Sequence, residues 1–273
     1  MIIFTKIYQR KVNLKPIVKW SGGKAREIKF FKEYYPESFD RYIEPFAGGA
    51  AVYFDLNFNG ENVINDVHKE LTNFYQQIKN GKSLDIYSLM KQYDNEEKTY
   101  YVVRDEFIPK NEVEEAFRFF YLRKTCFRGM LRYNKKGKFN IPFGRYKTYD
   151  FEILKDINYE NLLKRTEIKV GDSKNIFDEF NDENNFMFLD PPYDSTFTDY
   201  GYCKYEKSNH LQLARSFKST KNKCLIIIGE TPFINKLYDG YIKTKYHKKY
   251  AFKIYDGRVG DEIDNYHLII TNY

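Results

Sequence analysis

Asp190-Pro191-Pro192-Tyr193 follows directly on the apolar run Phe186-Met187-Phe188-Leu189, which puts a carboxylate at the carboxyl end of a buried strand. Open α/β sheets bind and process ligands at such strand ends. The two prolines fix φ and carry no N–H, so the backbone past Asp190 is stiff and its carbonyls are open to donors from outside the protein. Tyr193 adds a flat aromatic face. Carboxylate, carbonyl and stacking ring together suit a planar base that bears an amino group. Standing alone, the motif would equally suit a Pro-Pro turn with a solvated Asp.

A second constellation lies upstream. Tyr42-Ile43-Glu44-Pro45-Phe46-Ala47-Gly48-Gly49-Ala50-Ala51-Val52 reads as a short strand, a small-residue loop and a helix start. Small residues let backbone N–H groups approach a ligand closely, and a helix start favours polar or anionic groups. Asn62-Val63-Ile64-Asn65-Asp66 reads as the next strand, ending in an acid at roughly the ~20-residue spacing that holds ribose hydroxyls in such folds. GxGxxG is missing, so a nucleoside cofactor without phosphates suits the pattern better than a dinucleotide.

These residues need a sheet behind them, and the chain supplies one. Ile168-Lys169-Val170-Gly171, Phe186 to Leu189, Cys224 to Ile228 and His267 to Ile270 are short apolar runs separated by helix-length polar segments, the pattern of a sheet wound with crossover helices. In the middle the pattern changes. Val113, Ala116, Phe117, Phe120 and Tyr121 follow helical spacing over 113–124, with Asn111 and Glu114 as a capping start and a stop near Phe127-Arg128-Gly129. Arg132 to Pro142, with a charged, Gly-containing centre, reads as a β-hairpin rich in Arg, Lys and aromatics. The expected organisation is an α/β catalytic domain made of residues 1–68 and 152–273, interrupted by a helical and hairpin insertion over 69–151.

Composition narrows the class. A 273-residue chain with 42% hydrophobic residues can bury one substantial core plus a smaller module. The net charge of +7 suits a polyanionic partner. The 26 Tyr and 24 Phe could serve base stacking, but A/T-rich coding is the better explanation of their number. Cys126, Cys203 and Cys224 are odd in number and widely spaced, and His68, His210, His247 and His267 are scattered, so neither a disulfide framework nor a metal site is expected. Met1-Ile2-Ile3-Phe4 runs straight into charged residues, and no run reaches the ~18 residues of a membrane span. A soluble, intracellular, monomeric protein is expected.

Lys19-Trp20-Ser21-Gly22-Gly23-Lys24, Glu44-Pro45-Phe46-Ala47-Gly48-Gly49, Asn65-Asp66, Arg132-Tyr133-Asn134 through Ile141-Pro142-Phe143-Gly144-Arg145-Tyr146, and Asp190-Pro191-Pro192-Tyr193 occur in one order. In that order the chain resembles the Dam-type (D12 class) DNA adenine-N6 methyltransferases, from about Pro16 to near the C-terminus. The resemblance implies a Rossmann-like methyltransferase sheet with an inserted DNA-recognition domain, S-adenosylmethionine as cofactor, double-stranded DNA as partner, and GATC as target. It assigns Asp190, Pro191, Pro192 and Tyr193 to catalysis on a flipped adenine. Trp20, Lys24, the Phe46-Ala47-Gly48-Gly49 loop, Asp66 and Asp190 fall to the cofactor. Asp172, after the strand that starts at Ile168, is either a partner of the cofactor's adenine or a helix cap.

For DNA, the resemblance makes Arg132 the guanine reader, with Pro142 and Lys19 at base edges, Asn134 at a further polar contact and Arg145 at phosphate. Phe127 falls at the wedge that enters the stack. Arg128 stands beside it where the family can carry a smaller polar residue. Two stretches depart from the family: the mixed-charge Asp256-Gly257-Arg258-Val259-Gly260-Asp261-Glu262, and the strand end Ile228-Gly229-Glu230 in place of a small polar ending. A cytosine-N4 enzyme would use the same cradle, more often with Ser at position 190. A DNA-binding protein without catalysis would not need the Asp190 motif and the Gly48-Gly49 loop together.

Overall fold

The computed structural model describes residues 13–194, 204–249, 253–254, 258–259 and 264–273. Its strands are β1 (Arg41–Glu44), β2 (Glu61–Asp66), β3 (Thr166–Val170), β4 (Asn185–Leu189), β5 (Lys223–Gly229), β6 (Ile242–Lys249), a small ribbon of β7 (Lys253–Ile254) with β8 (Arg258–Val259), and β9 (Asp264–Thr271). Seven of them form one sheet in the order β3-β2-β1-β4-β5-β9-β6. β1 to β5 run parallel, β9 runs antiparallel to β5, and β6 is antiparallel to β9. This is the Rossmann-like methyltransferase architecture expected from the motif order.

The sheet alternates strictly between two cores. Phe186 and Phe188 of β4 face one side with Tyr42, Ile64 and Leu225, while Met187 and Leu189 face the other with Ile43, Val63 and Ile226. Period-two alternation with both faces apolar is what a parallel sheet covered on both sides requires. The helices are α1 (Ile28–Phe31), α2 (Ala51–Leu56), α3 (Lys69–Lys79), α4 (Ser83–Met90), α5 (Glu97–Tyr101), α6 (Glu112–Thr125), α7 (Ile157–Lys164), α8 (Ser173–Glu179), α9 (Lys207–Ser219) and α10 (Pro232–Leu237). Residues of α8, α9 and α10 belong to the second core, and α3 and α7 to the first.

Segment 69–151 builds on the first core and does not enclose a separate one. Ile86, Met90, Tyr100, Phe117 and Ile141 are continuous with Phe186 and Phe188 of the sheet. α6 forms where expected, one residue longer at each end. Asn111 caps it by accepting from the Glu114 N–H at 2.9 Å, and Glu114 reaches back to the N–H of Lys110 rather than of Asn111. The hairpin is smaller than expected. Among the described residues it is reduced to the isolated bridges Tyr133↔Phe139 and Cys126↔Phe143, with Asn134 Oδ1 accepting from the N–H groups of Lys136 and Lys138 across the tip. A tip of Lys, Gly and Asn gives little for a longer ladder to bury. Strand β6 was not anticipated, because Ile-Lys-Thr-Lys-Tyr-His-Lys-Lys is dominated by charge; that suits its place at the edge of the sheet. Of the divergent C-terminal stretch, only the backbone of Arg258 and Val259 is described; Asp256, Gly257 and 260–262 lie outside the described residues, as do Cys203 and the N-terminal Met1 to Phe4.

Candidate active site and DNA-facing segment

The sheet order reverses between β1 and β4, and the carboxyl ends of strands splay apart at such a point to leave a crevice. Glu44 closes β1, Asp66 closes β2 and Asp190 follows β4. All three line one cavity, together with Trp20, Lys24 and the Phe46 to Gly49 loop.

The loop is shaped for close approach. Gly48 has φ +47°, and a Cβ there would lie 2.6 Å from Trp20 Nε1. Only glycine accommodates both the left-handed backbone and the indole. The N–H groups at its centre are nevertheless spent inside the protein: Ala47 N–H donates to the Asn65 carbonyl (2.9 Å) and Gly48 N–H to Asp66 Oδ2 (2.8 Å). The expectation that this loop presents its N–H groups to a ligand is corrected for those two. Asp66 also accepts from His68 N–H through Oδ1 (2.9 Å). Burial raises its pKa, and the bonds from His68, Gly48 and Val67 oppose that. Asp172 is a helix cap, its Oδ1 accepting from the Lys174 N–H at the start of α8 (2.8 Å), and it also lines the cavity.

Asp190 is paired. Lys24 Nζ lies 2.7 Å from each of its carboxylate oxygens and 2.9 Å from the Gly22 carbonyl, and Lys24 is only 2% exposed. Burial raises the Asp190 pKa, and the charge and hydrogen bonds of Lys24 counter it. Tyr193 stands with its ring centroid 5.2 Å from Lys24 Nζ, and Gly229 offers it a bare surface, an ideal Cβ there lying 3.6 Å from the ring. β5 thus ends in a glycine beside Tyr193 where the resemblance would put a small polar residue.

Two acids escaped the sequence reading. Glu44 is buried, its Oε2 accepting from the Tyr42 hydroxyl (2.8 Å) and the Tyr53 N–H (3.1 Å). Burial, reinforced by the charges of Asp190 and Asp66, lifts its pKa to about 8, so near neutrality it is held mainly as the neutral acid. Glu27 is also buried and accepts from His267 Nδ1 (2.7 Å), the Tyr246 hydroxyl (2.7 Å) and Lys248 Nζ. Burial works against its ionisation, but the His267 bond, the Lys24 charge and the bonds from Lys248 and Tyr246 prevail and bring it down to about 2. The His267 ring stands edge-on to Tyr193, centroids 5.2 Å apart. No local pattern announces this network, since Glu27 and His267 are 240 positions apart.

The residues expected at DNA gather on the insertion side. Arg123, 1% exposed, donates to the carbonyls of Lys19, Gly129 and Met130, and its guanidinium lies 5.4 Å from the Trp20 ring. This clamps the turn Phe127–Gly129 against Lys19. Phe127 is 42% exposed, with the Arg128 guanidinium 5.4 Å from its ring and Arg128 at φ +54°. The Phe127 N–H donates to the Pro142 carbonyl (2.8 Å), so the two residues expected as wedge and as base-edge contact are neighbours. Lys19 Nζ sits 3.9 Å from the centre of the Tyr146 ring. Arg132 is exposed but braced, Nε donating to Asn140 Oδ1 (2.8 Å) and Nη2 to the Asn140 carbonyl (3.2 Å). Asn134 spends its Oδ1 on the hairpin tip, which gives it a shaping role alongside any contact. Exposed Arg145 lies 3.4 Å from Glu97.

Among the described residues no cluster of His, Cys, Asp or Glu could hold a metal, and no helix is long and apolar enough to cross a membrane. The sequence matches the family described as D12 class N6 adenine-specific DNA methyltransferase over residues 20–254. It is 58% identical to the Type II methyltransferase M.CviBI of Paramecium bursaria Chlorella virus NC1A, covering 95% of this chain and 100% of that one. The Type II methyltransferase M.MjaIII of Methanocaldococcus jannaschii is 34% identical over 96% of this chain and 100% of its own. A DNA adenine methylase of Haemophilus influenzae is 29% identical over 84% and 85%. With the family match running over most of the chain, and with relatives aligned along their whole length, the chain belongs to the D12 class of N6 adenine-specific DNA methyltransferases.

Proposed function

We propose that the chain moves a methyl group from S-adenosylmethionine to N6 of an adenine flipped out of duplex DNA, within GATC, and that segment 69–151 is its target-recognition region. The observation that carries this reading is the convergence of Asp190, Pro191 and Tyr193 on the cavity that also holds the Gly48 loop and Asp66. The lining fits the donor. Glu44, Asp66, Asp172 and Asp190 make it rich in carboxyl groups, which suits hydroxyls, an amino group and a sulfonium centre rather than phosphates. Asp66 would take the ribose, and Trp20 and the Phe46 to Gly49 loop would enclose the methionine end. S-adenosylmethionine, when bound, supplies an electrophilic methyl group.

The protein's own part is orientation. Adenine's amino nitrogen is a poor nucleophile because its lone pair is delocalised into the ring. Asp190 and the Pro191 carbonyl would each accept one amino hydrogen, favouring a pyramidal nitrogen with its lone pair directed at the donor. An ionised carboxylate offers about four lone-pair positions, so the Lys24 ammonium leaves Asp190 with capacity for that bond. Tyr193 would stack on the base. The amine lies inside the duplex, so the base must leave the stack at a cost of a few kcal/mol, which Phe127 would offset by filling the gap.

Base-resolved methylation of unmethylated duplex DNA, with the native protein and with Asp190→Ala, tests the reading. Adenine methylated at GATC and absent with the variant is the expected result. Methylated cytosine would move the chemistry to N4, and adenine methylated elsewhere would discard GATC.

A further inference from the structure

We propose that His68 is a positioning residue that ties the recognition hairpin to the cofactor strand, so that one residue, through its backbone N–H and its ring, sets the sequence reader in register with the methyl-donor pocket. The inference rests on the reading of both regions given above.

His68 follows β2 two residues after Asp66 and caps α3. Its N–H holds Asp66 Oδ1 at 2.9 Å, and its Nδ1 accepts from the Leu71 N–H at 3.2 Å. A ring nitrogen that accepts carries no proton, so in the neutral ring the proton is on Nε2. Nε2 lies 2.7 Å from the Tyr133 hydroxyl, which therefore accepts from it and passes its own proton to Glu70 Oε2, also at 2.7 Å. Glu70 is met at 3.5 Å by Arg118, which in turn holds the Val103 and Arg104 carbonyls. Every donor in this chain has a fixed direction. It starts at an acid of the cofactor cavity and ends at the residue between Arg132 and Asn134.

The surroundings keep it in that state. The imidazole is 5% exposed, with Trp20 edge-on at 5.6 Å and Phe119 at 5.7 Å. Burial first, and then the charge of Arg123, lower its pKa to about 4, so it remains neutral in ordinary buffers. A second ring proton would point Nδ1–H at the Leu71 N–H and break the cap. An apolar residue could pack in this place and keep the backbone bond to Asp66, but it would offer nothing to the Tyr133 hydroxyl or the Leu71 N–H. Trp20 lines the same cavity and touches the same ring, so a ligand that settles the indole also settles the base of the hairpin.

Tyr133→Phe keeps the ring and removes the hydroxyl, and His68→Asn keeps a helix cap but is too short to reach Tyr133. For each variant, the dissociation constant of the donor analogue sinefungin is measured with and without a GATC duplex, and methylation is compared on GATC and on single-base-changed duplexes. The native protein is expected to bind sinefungin at least about 5-fold more tightly with duplex present, the scale of ordinary coupling between sites. Both variants are expected to lose most of that factor and about 10-fold of the discrimination between duplexes, with KM for DNA changing more than kcat. The double variant should lose no more than either single one. Coupling and discrimination retained in Tyr133→Phe, or losses that add in the double variant, would overturn the proposal. A native protein that binds sinefungin and methylates GATC, yet shows no coupling, also overturns it while leaving the proposed function intact. A native protein that neither binds sinefungin nor methylates DNA removes both.

Discussion

The cavity at the end of the sheet and the DNA-facing segment are built on opposite principles. In the cavity, polar groups are buried and committed: Asp66 takes two backbone N–H groups, Glu44 a hydroxyl and an N–H, Asp190 an ammonium. In the segment, Phe127, Arg128, Arg132, Asn134 and Arg145 are exposed; the backbone of the turn at Phe127–Gly129 is clamped from below, and polar side chains bond to neighbours at the surface such as Asn140 and Glu97. Chemistry demands preorganisation, because reorganising dipoles during the reaction raises the barrier. Reading a duplex demands reach, because the partner supplies half of every bond. The difference teaches that variants in the two regions should fail in different ways.

Asp190→Ala should fail hardest. Loss of one oriented acceptor at the reacting amine should lower methylation by about 10²–10³-fold on every duplex, measured as single-turnover rate, while DNA affinity holds. A variant that lost DNA binding instead would break the distinction.

Glu44→Gln sharpens the cavity side through pH. The folded pKa of about 8 lies above the ordinary 4.5, so the stability that Glu44 contributes is complete below about pH 4.5 and is lost as pH rises toward 8. The glutamine variant escapes this loss. Its stability relative to the native chain should climb by up to about 1.4 kcal/mol per pH unit across that window, read from urea unfolding at pH 5 and pH 8. A flat difference would mean that Glu44 is ionised inside the fold.

Arg132→Ala tests the other side. Discrimination at one base pair should fall by about 1–3 kcal/mol, with sinefungin affinity in the absence of DNA unchanged. Arg145→Ala should do least: DNA binding weakens about equally on all sequences, and the salt slope shrinks by about one ion. A loss confined to GATC would make Arg145 a reader and blur the boundary between the two kinds of contact.

Much of this was legible in the chain. The strand that ends in Asp66 and the one that runs up to Asp190 are short apolar runs, and each places a carboxyl group at a strand's carboxyl end. Helix α6 declared itself through its spacing and the Asn111 cap. What stayed hidden had no local signature. The resemblance marks Lys24 for the cofactor, but its pairing with Asp190, 166 positions away, appears only in the fold. Edge strand β6 hides behind its lysines, and the Glu27–His267 pair exists only after β9 inserts beside β5. The hairpin was overestimated because its composition marks a turn without stating how far the flanking chains pair.

Arg123 carries a consequence for how such an enzyme can change over time. Its buried guanidinium grips the carbonyls of Lys19, Gly129 and Met130, and a carbonyl is the same whatever side chain stands beside it. The posture of the turn at Phe127–Gly129 is thus insulated from the identities of residues 127, 128 and 130. Those side chains can be exchanged without rebuilding the scaffold that presents them.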